Sequence, residues 1–388
     1  MAPAPRYLVW CAIGLIGSLM ICAGFTVLVD PYYVFGSPII AGFNALHPRA
    51  NDQMIAARSH LAERMRPRTL LLGNSRTEAG FDPASSEWPP AMTPVFDAGL
   101  PGVGLDAAHQ VVEAALAGQR LRHMVIAVEF LDTIGDNGKA AVHPIQMPVP
   151  PTERLLREGH DQFIASLTIG AMADSLQTVL LQRSDASNTT RLDGSADLGE
   201  YADYVRQFGP AALFDHKMAE YRARFATYSP PDFSHPETNA TFAALLALLA
   251  AAKTAGCTAD IIIYPYHATV LDLLQKDGLW PSFEAFKRAL VRVVWARYPG
   301  TRIVDFSGYN AFTTEPRPPK GSMLPMRWYW EPGHFRTSLG DQIIQRLYGE
   351  NGERSDFGRD LRPDTVDAAL AAVRQERDAV FAEQRGSP

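Results

Sequence analysis

An α/β fold, built on a parallel sheet covered on both faces, follows from three features of the sequence. Short apolar runs end in glycine or polar residues, as buried parallel strands do. Longer stretches between them carry helical periodicity, and the two kinds of segment alternate along the chain. The first run is Thr69 to Ser75, read Thr-Leu-Leu-Leu-Gly-Asn-Ser. Pro94 to Gly99 is the second, followed by a helical pattern over Leu105 to Ala117. His123 to Phe130 contains a β-rich Val-Ile-Ala-Val core. An Ala/Leu-rich helix over Ala240 to Ala255 precedes a strand over Asp260 to Tyr264, and a helix over Phe283 to Tyr298 precedes a strand over Thr301 to Phe306. Phe335 to Tyr348 and Pro363 to Gln384 read as further amphipathic helices, the last expected to pack on its own domain.

The remaining segments follow by elimination. Residues 1–30 hold a flank and an apolar anchor, 31–66 a linker, 67–135 and 237–350 the two parts of the α/β domain, 136–236 a helical insertion or cap, and 351–388 the tail helix. From Tyr7 to Val29 there are 23 residues without a charge. As a helix they span roughly 34 Å, enough to cross a hydrocarbon core of about 30 Å. A cleaved signal peptide is the competing reading, but Val-Leu-Val-Asp-Pro closes the run without a small-x-small site. Arg6 on the short flank predicts a cytoplasmic amino terminus, with the rest of the chain in the periplasm or outside the cell. Tyr32, Tyr33 and Phe35 are then expected at headgroup level.

Composition narrows the function. The 388 residues are 47 % hydrophobic and 20 % charged, with a formal net charge of −6 and no Lys/Arg-rich run, which speaks against a nucleic-acid partner. Three cysteines, two of them in the apolar span, predict no disulfide. The ten histidines form no metal-binding motif and the glycines no phosphate loop, so neither metal nor cofactor is expected.

Three segments carry the chemistry. Gly73-Asn74-Ser75-Arg76 ends the first strand and puts a hydroxyl at the carboxyl edge of the sheet, where open α/β folds bind ligands. Asp97-Ala-Gly99-Leu-Pro-Gly102 ends the second strand with glycines that let backbone N–H groups approach a ligand. Glu331-Pro-Gly-His334 lies far downstream, before a helix. A serine hydroxyl needs a base to take its proton, and an imidazole serves best when a carboxylate holds its tautomer. Ser75, His334 and Glu331 supply these parts. His267 at a strand end is a substrate-contact candidate, as are Arg76, Arg327 and Trp330.

In these blocks the chain resembles the SGNH/GDSL hydrolase superfamily. Gly73-Asn74-Ser75 stands for its Gly-Asp-Ser block, Asp97-x-Gly99-x-x-Gly102 for its Asn-x-Gly-x-x-Gly, and Glu331-x-x-His334 for its Asp-x-x-His. The family's third block, Gly-x-Asn-Asp, reads Glu129-Phe-Leu-Asp132 here and lacks the oxyanion-donating Asn. With its amino-terminal span the chain is similar to the membrane-tethered branch, which includes the teichoic-acid D-alanylation transfer protein and the polysaccharide O-acetylation proteins. The resemblance implies a flavodoxin-like three-layer sheet, catalysis by Ser75, His334 and Glu331, and oxyanion or binding roles around Asn74, Gly99 and Gly102. It also implies a membrane-bound O-acyltransferase as partner, and a polysaccharide or acyl ester as substrate.

Each residue also has a structural role open to it. Ser75 can cap a helix, His334 can be a loop histidine, and Glu331 can be a favourable charge ahead of a helix. The alternative to an enzyme is a catalytically weak or inactive module of the same fold that binds glycan or scaffolds an acyltransferase complex.

Overall fold

The computed structural model describes residues 4–134, 150–183, 189–196, 198–228, 231–349 and 357–386. The apolar segment forms α1 (Ala4–Val29), most of whose side chains are exposed. Asp30 then reverses the chain, its carboxylate accepting from the N–H groups of Phe35, Gly36 and Ser37 at 2.7–3.2 Å. The linker contains α2 (Met54–Met65) and leads into β1 (Thr69–Gly73), α3 (Ser75–Gly80), β2 (Val95–Gly99), α4 (His109–Ala117) and β3 (His123–Val128).

Among the described residues of the insertion, four α-helices follow: α5 (Pro151–Leu167), α6 (Ile169–Leu181), α7 (Gly199–Phe208) and α8 (Pro210–Phe225). The α/β alternation then resumes with α9 (Ala240–Thr254), β4 (Thr258–Ile263), α10 (Ala268–Lys276), α11 (Trp280–Arg297) and β5 (Arg302–Asp305). A hairpin of β6 (Tyr329–Glu331) and β7 (His334–Phe335) precedes α12 (Thr337–Tyr348), β8 (Arg359–Asp360) and α13 (Val366–Gly386).

Strand order in the main sheet is β2-β1-β3-β4-β5-β8, parallel except for β8. Every residue of β1 and β2 is buried, so both faces of the sheet are covered, and the continuous Leu-Leu-Leu run of β1 is the sequence mark of that burial. The chain moves outward from β1 in one direction to β2 and in the other to β3. Their carboxyl ends therefore flank the switch point at which open α/β sheets hold ligands.

Two segments take packing roles that the sequence does not show. Tyr32 and Tyr33 are buried in protein: the Tyr32 hydroxyl donates to Asp174, and Tyr33 stacks on His47 and donates to the Thr190 carbonyl at 2.9 Å. The insertion contributes Phe214, Met218, Tyr221 and Phe225 of α8 to the main core. The tail helix packs on its own domain through Leu370 and Val373, with Arg374 of α13 bonded to Glu284 of α11 at 2.7 Å.

Candidate active site

Ser75 begins α3 immediately after β1. As the first residue of its helix, its N–H has no intrahelical acceptor. Asn74 caps this helix, its Oδ1 accepting from the Arg76 N–H at 3.0 Å. The turn is tight: a Cβ at Gly73 would lie 2.1 Å from the Tyr264 hydroxyl, and one at Gly99 would lie 2.7 Å from the Glu78 nitrogen. The N–H of Gly99 is bonded to Asp97 Oδ1 at 2.7 Å, so this glycine serves close packing. Gly102, at φ +72°, lines the cleft over Ser75.

The β6–β7 hairpin delivers the base from more than 250 residues away. His334 Nε2 is 2.8 Å from Ser75 Oγ, and Nδ1 of the same ring bonds to Glu331 Oε1. With the Nδ1 proton given to Glu331, Nε2 is left to accept the serine proton. Glu331 is fully buried, and its other oxygen accepts from the Gly333 N–H at 2.8 Å. Burial alone would raise its carboxyl, but the imidazole, the Gly333 N–H and the Arg76 guanidinium outweigh it and hold the group below the ordinary range. The structure thus brings together Ser75, His334 and Glu331 in the order that proton transfer needs.

Arg76 is buried rather than offered to a ligand. Its Nε donates to the Gly333 carbonyl at 2.8 Å, one terminal nitrogen pairs with Glu129, and the other donates to the Tyr221 hydroxyl at 2.9 Å. It therefore ties the serine helix to the histidine hairpin. Burial works against its charge, but Glu129 and the surrounding phenols more than compensate, and its affinity for the proton rises. Glu129 also receives the amide of Asn74 and the hydroxyl of Tyr266, which makes Asn74 part of a filled network.

His267 is not brought to the cleft. Its Nε2 donates to the Glu315 carbonyl at 2.8 Å, its Nδ1 accepts from the Thr269 N–H at 3.2 Å, and burial lowers the ring to about 4, keeping it neutral. It is the cap of α10. Arg327 and Trp330 also lie outside the residues that line the serine cleft.

That cleft, about 480 Å³, is bounded by Asn74, Ser75, Gly102, Leu131, Asp132 and Arg224. Leu131, where an amide donor is expected from the resemblance, presents hydrocarbon. Burial, then the neighbouring Glu129, drives the Asp132 carboxyl well above the ordinary range and favours its acid form, a hydrogen-bond donor. Another cavity of similar size, about 500 Å³, lies between α2, α4 and α5 and touches none of the three residues. Among the described residues no group of His, Cys, Asp or Glu is placed to hold a metal ion.

Two tyrosines of the insertion were not legible as site residues. Tyr201 of α7 places its hydroxyl 3.3 Å from His334 Nδ1 with the rings 5.5 Å apart, and Tyr221 of α8 bonds Arg76. Only a lone aromatic in a weakly periodic stretch marks either one in the sequence. Comparison with protein-family models, curated proteins and solved structures found no match to this chain.

Proposed function

We propose that this chain is a membrane-anchored, SGNH-type O-acyltransferase or esterase that acts on cell-envelope polysaccharide through an acyl-serine at Ser75. The observation that carries the reading is the linear contact of Ser75 Oγ, His334 and Glu331 at the carboxyl edge of β1. The strand order 2-1-3-4-5, which is that of flavodoxin-like sheets, supports it further.

In this mechanism Ser75 Oγ attacks the carbonyl carbon of the acyl donor as its proton passes to His334 Nε2. Glu331 stabilises the imidazolium, and the N–H groups of Ser75 and Gly102 hold the oxyanion. Collapse breaks the acyl–oxygen bond, and the leaving alkoxide takes the proton from His334. A glycan hydroxyl or water then gives its proton to His334 and attacks the acyl-serine; the acyl–Oγ bond breaks, Ser75 Oγ takes that proton back from His334, and the acylated or hydrolysed product leaves.

The apolar α1 is long enough to span a bilayer. Arg6 on its short flank supports a cytoplasmic amino terminus and a periplasmic or extracellular site. Anchoring raises the effective concentration of the site toward an integral O-acyltransferase that supplies the acyl group.

Ser75→Ala tests the reading. The variant should lose p-nitrophenyl acetate hydrolysis and labelling by a fluorophosphonate while keeping its circular dichroism. Unchanged hydrolysis would remove Ser75 from the chemistry. Leu131 favours a second reading, a weak or inactive module of the same fold, because one missing oxyanion donor costs about 10² to 10³ in rate. A wild-type chain that resists fluorophosphonate would favour that module.

A further inference from the structure

Helix α6 is inside out with respect to water. Its outward stripe is Ile169, Ala173, Leu176 and Leu180, with Ile169 91 % and Leu180 68 % exposed, whereas Asp174, Ser175 and Thr178 face inward and are buried. Residues 162–182 contain one charged side chain, Asp174, and it is occupied by the Tyr32 hydroxyl and by Arg49 Nε at 3.1 Å. Gln182 is likewise turned inward, exchanging two hydrogen bonds with the Leu46 backbone at 2.8 and 2.9 Å. A water-facing helix has the opposite distribution. Asp174 and Gln182 are satisfied by the protein, Ser175 and Thr178 are buried without a side-chain hydrogen-bond partner among the described residues, and on the outer face Gln177 alone interrupts a hydrocarbon surface that is left for something else.

Position identifies the occupant. α5 and α6 meet at a 64° bend around Thr168. The bend is seated on the last turn of α1, where Thr26 Oγ1 donates to the Ser166 carbonyl at 3.0 Å and Tyr32 and Val34 pack on Ala165 and Ala171. Thr26 lies three residues inside the carboxyl end of α1, a depth of about 5 Å. Exposed Phe163 and Leu167 on α5, and Leu28, Ile39 and Ile40 around the exit of α1, extend the same apolar surface. At about 20 Å, α6 is too short to cross a bilayer but suits one leaflet.

We propose that the α5–α6 bend and the outer face of α6 are immersed in the lipid leaflet from which α1 emerges. This rests on the reading of α1 as a membrane span. Toward the domain, α5 is held by Arg157 to Glu113 at 2.6 Å and by His60 to Asp161 at 3.3 Å. The wedge therefore fixes the height and tilt of the serine cleft over the membrane, where a single-helix tether would leave it free to swing.

The test uses the full chain with Cys11, Cys22 and Cys257 replaced by Ser, reconstituted alone in phosphatidylcholine–phosphatidylglycerol vesicles. Single cysteines (Ile169→Cys, Leu176→Cys or Leu180→Cys) carry an NBD fluorophore, and doxyl-labelled lipids serve as quencher. Leu15→Cys in α1 reports the span, and Gln375→Cys on α13 reports water. Labels at 169, 176 and 180 should lose most of their fluorescence to the doxyl lipid, as the label at 15 does, while that at 375 is unaffected. If position 15 is quenched and all three others behave like 375, the wedge is overturned while the anchor stands. Failure of quenching at 15 as well overturns both.

Discussion

Replacing Glu331 by Gln isolates the orienting role of the carboxylate with almost no change of shape. Both oxygens of Glu331 are in use, one accepting from His334 Nδ1 and the other from the Gly333 N–H at 2.8 Å. A glutamine keeps one acceptor and turns the other into a donor. If its NH₂ faced Gly333, two donors would oppose each other in a fully buried site, leaving a backbone N–H unsatisfied at about 1–3 kcal/mol. If the NH₂ faces His334, the ring has only to move its proton from Nδ1 to Nε2. The second arrangement wins because a tautomer change is the smaller cost. Nε2 then carries a hydrogen and can no longer accept from Ser75. The wrong tautomer in a serine triad lowers kcat by about 10⁴, or roughly 5.5 kcal/mol of barrier. The assay is kcat/KM for p-nitrophenyl acetate with the full chain in detergent, beside a urea unfolding curve. Glu331→Gln should unfold within about 1 kcal/mol of wild type yet fall by three to four orders of magnitude in activity. A folded variant within roughly threefold of wild type would refute the role assigned to Glu331.

Three further outcomes follow from the same geometry. A Cβ at Gly333 would lie 1.9 Å from the Tyr221 hydroxyl, so Gly333→Ala should displace the histidine hairpin and lower ester hydrolysis, and adding Tyr221→Phe should restore part of it. Arg76→Met leaves Glu129 buried without its cation, for a loss of about 3–5 kcal/mol in urea unfolding, and Glu129→Gln in the same chain should recover part of the loss. Burial raises the Asp97 carboxyl from 3.8 to about 8. Between those values the unfolded chain has released this proton and the folded chain keeps it, so stability falls as pH rises through that window and is level above it. The total is on the order of 5 kcal/mol. Asp97→Asn should remove this slope from a pH series of unfolding curves, and parallel profiles for the two chains would rule it out.

Short local signals account for what is legible in the sequence. A strand buried on both faces must be apolar throughout and must stop at a residue that can turn, so Leu-Leu-Leu-Gly73 announces both β1 and the place of Ser75. The same reasoning located β2 through β5 to within a few residues, since strand ends depend on neighbours only at their margins. The spacing predicts Phe335 in the following helix, but it lies in β7, because its ring packs edge-on against Phe81 and the hairpin claims it.

Arg76 shows where that legibility stops. In sequence it is a basic residue beside a serine, equally suited to a ligand or to solvent, and only the arrival of Glu129, Tyr221 and Gly333 turns it inward. Tyr32 likewise depends on a partner, Asp174, that is 142 residues away and that no local signal announces.

The chain's own order of residues therefore determined the apolar span, the run of parallel strands and the three chemical groups at their ends, because each is written within a few neighbouring positions. Folding alone decided that those groups touch, that Tyr201 and Tyr221 of the insertion join them, and which side of α6 faces outward. The physical reason is that burial and hydrogen bonding belong to pairs of surfaces, and no single segment specifies what will cover it.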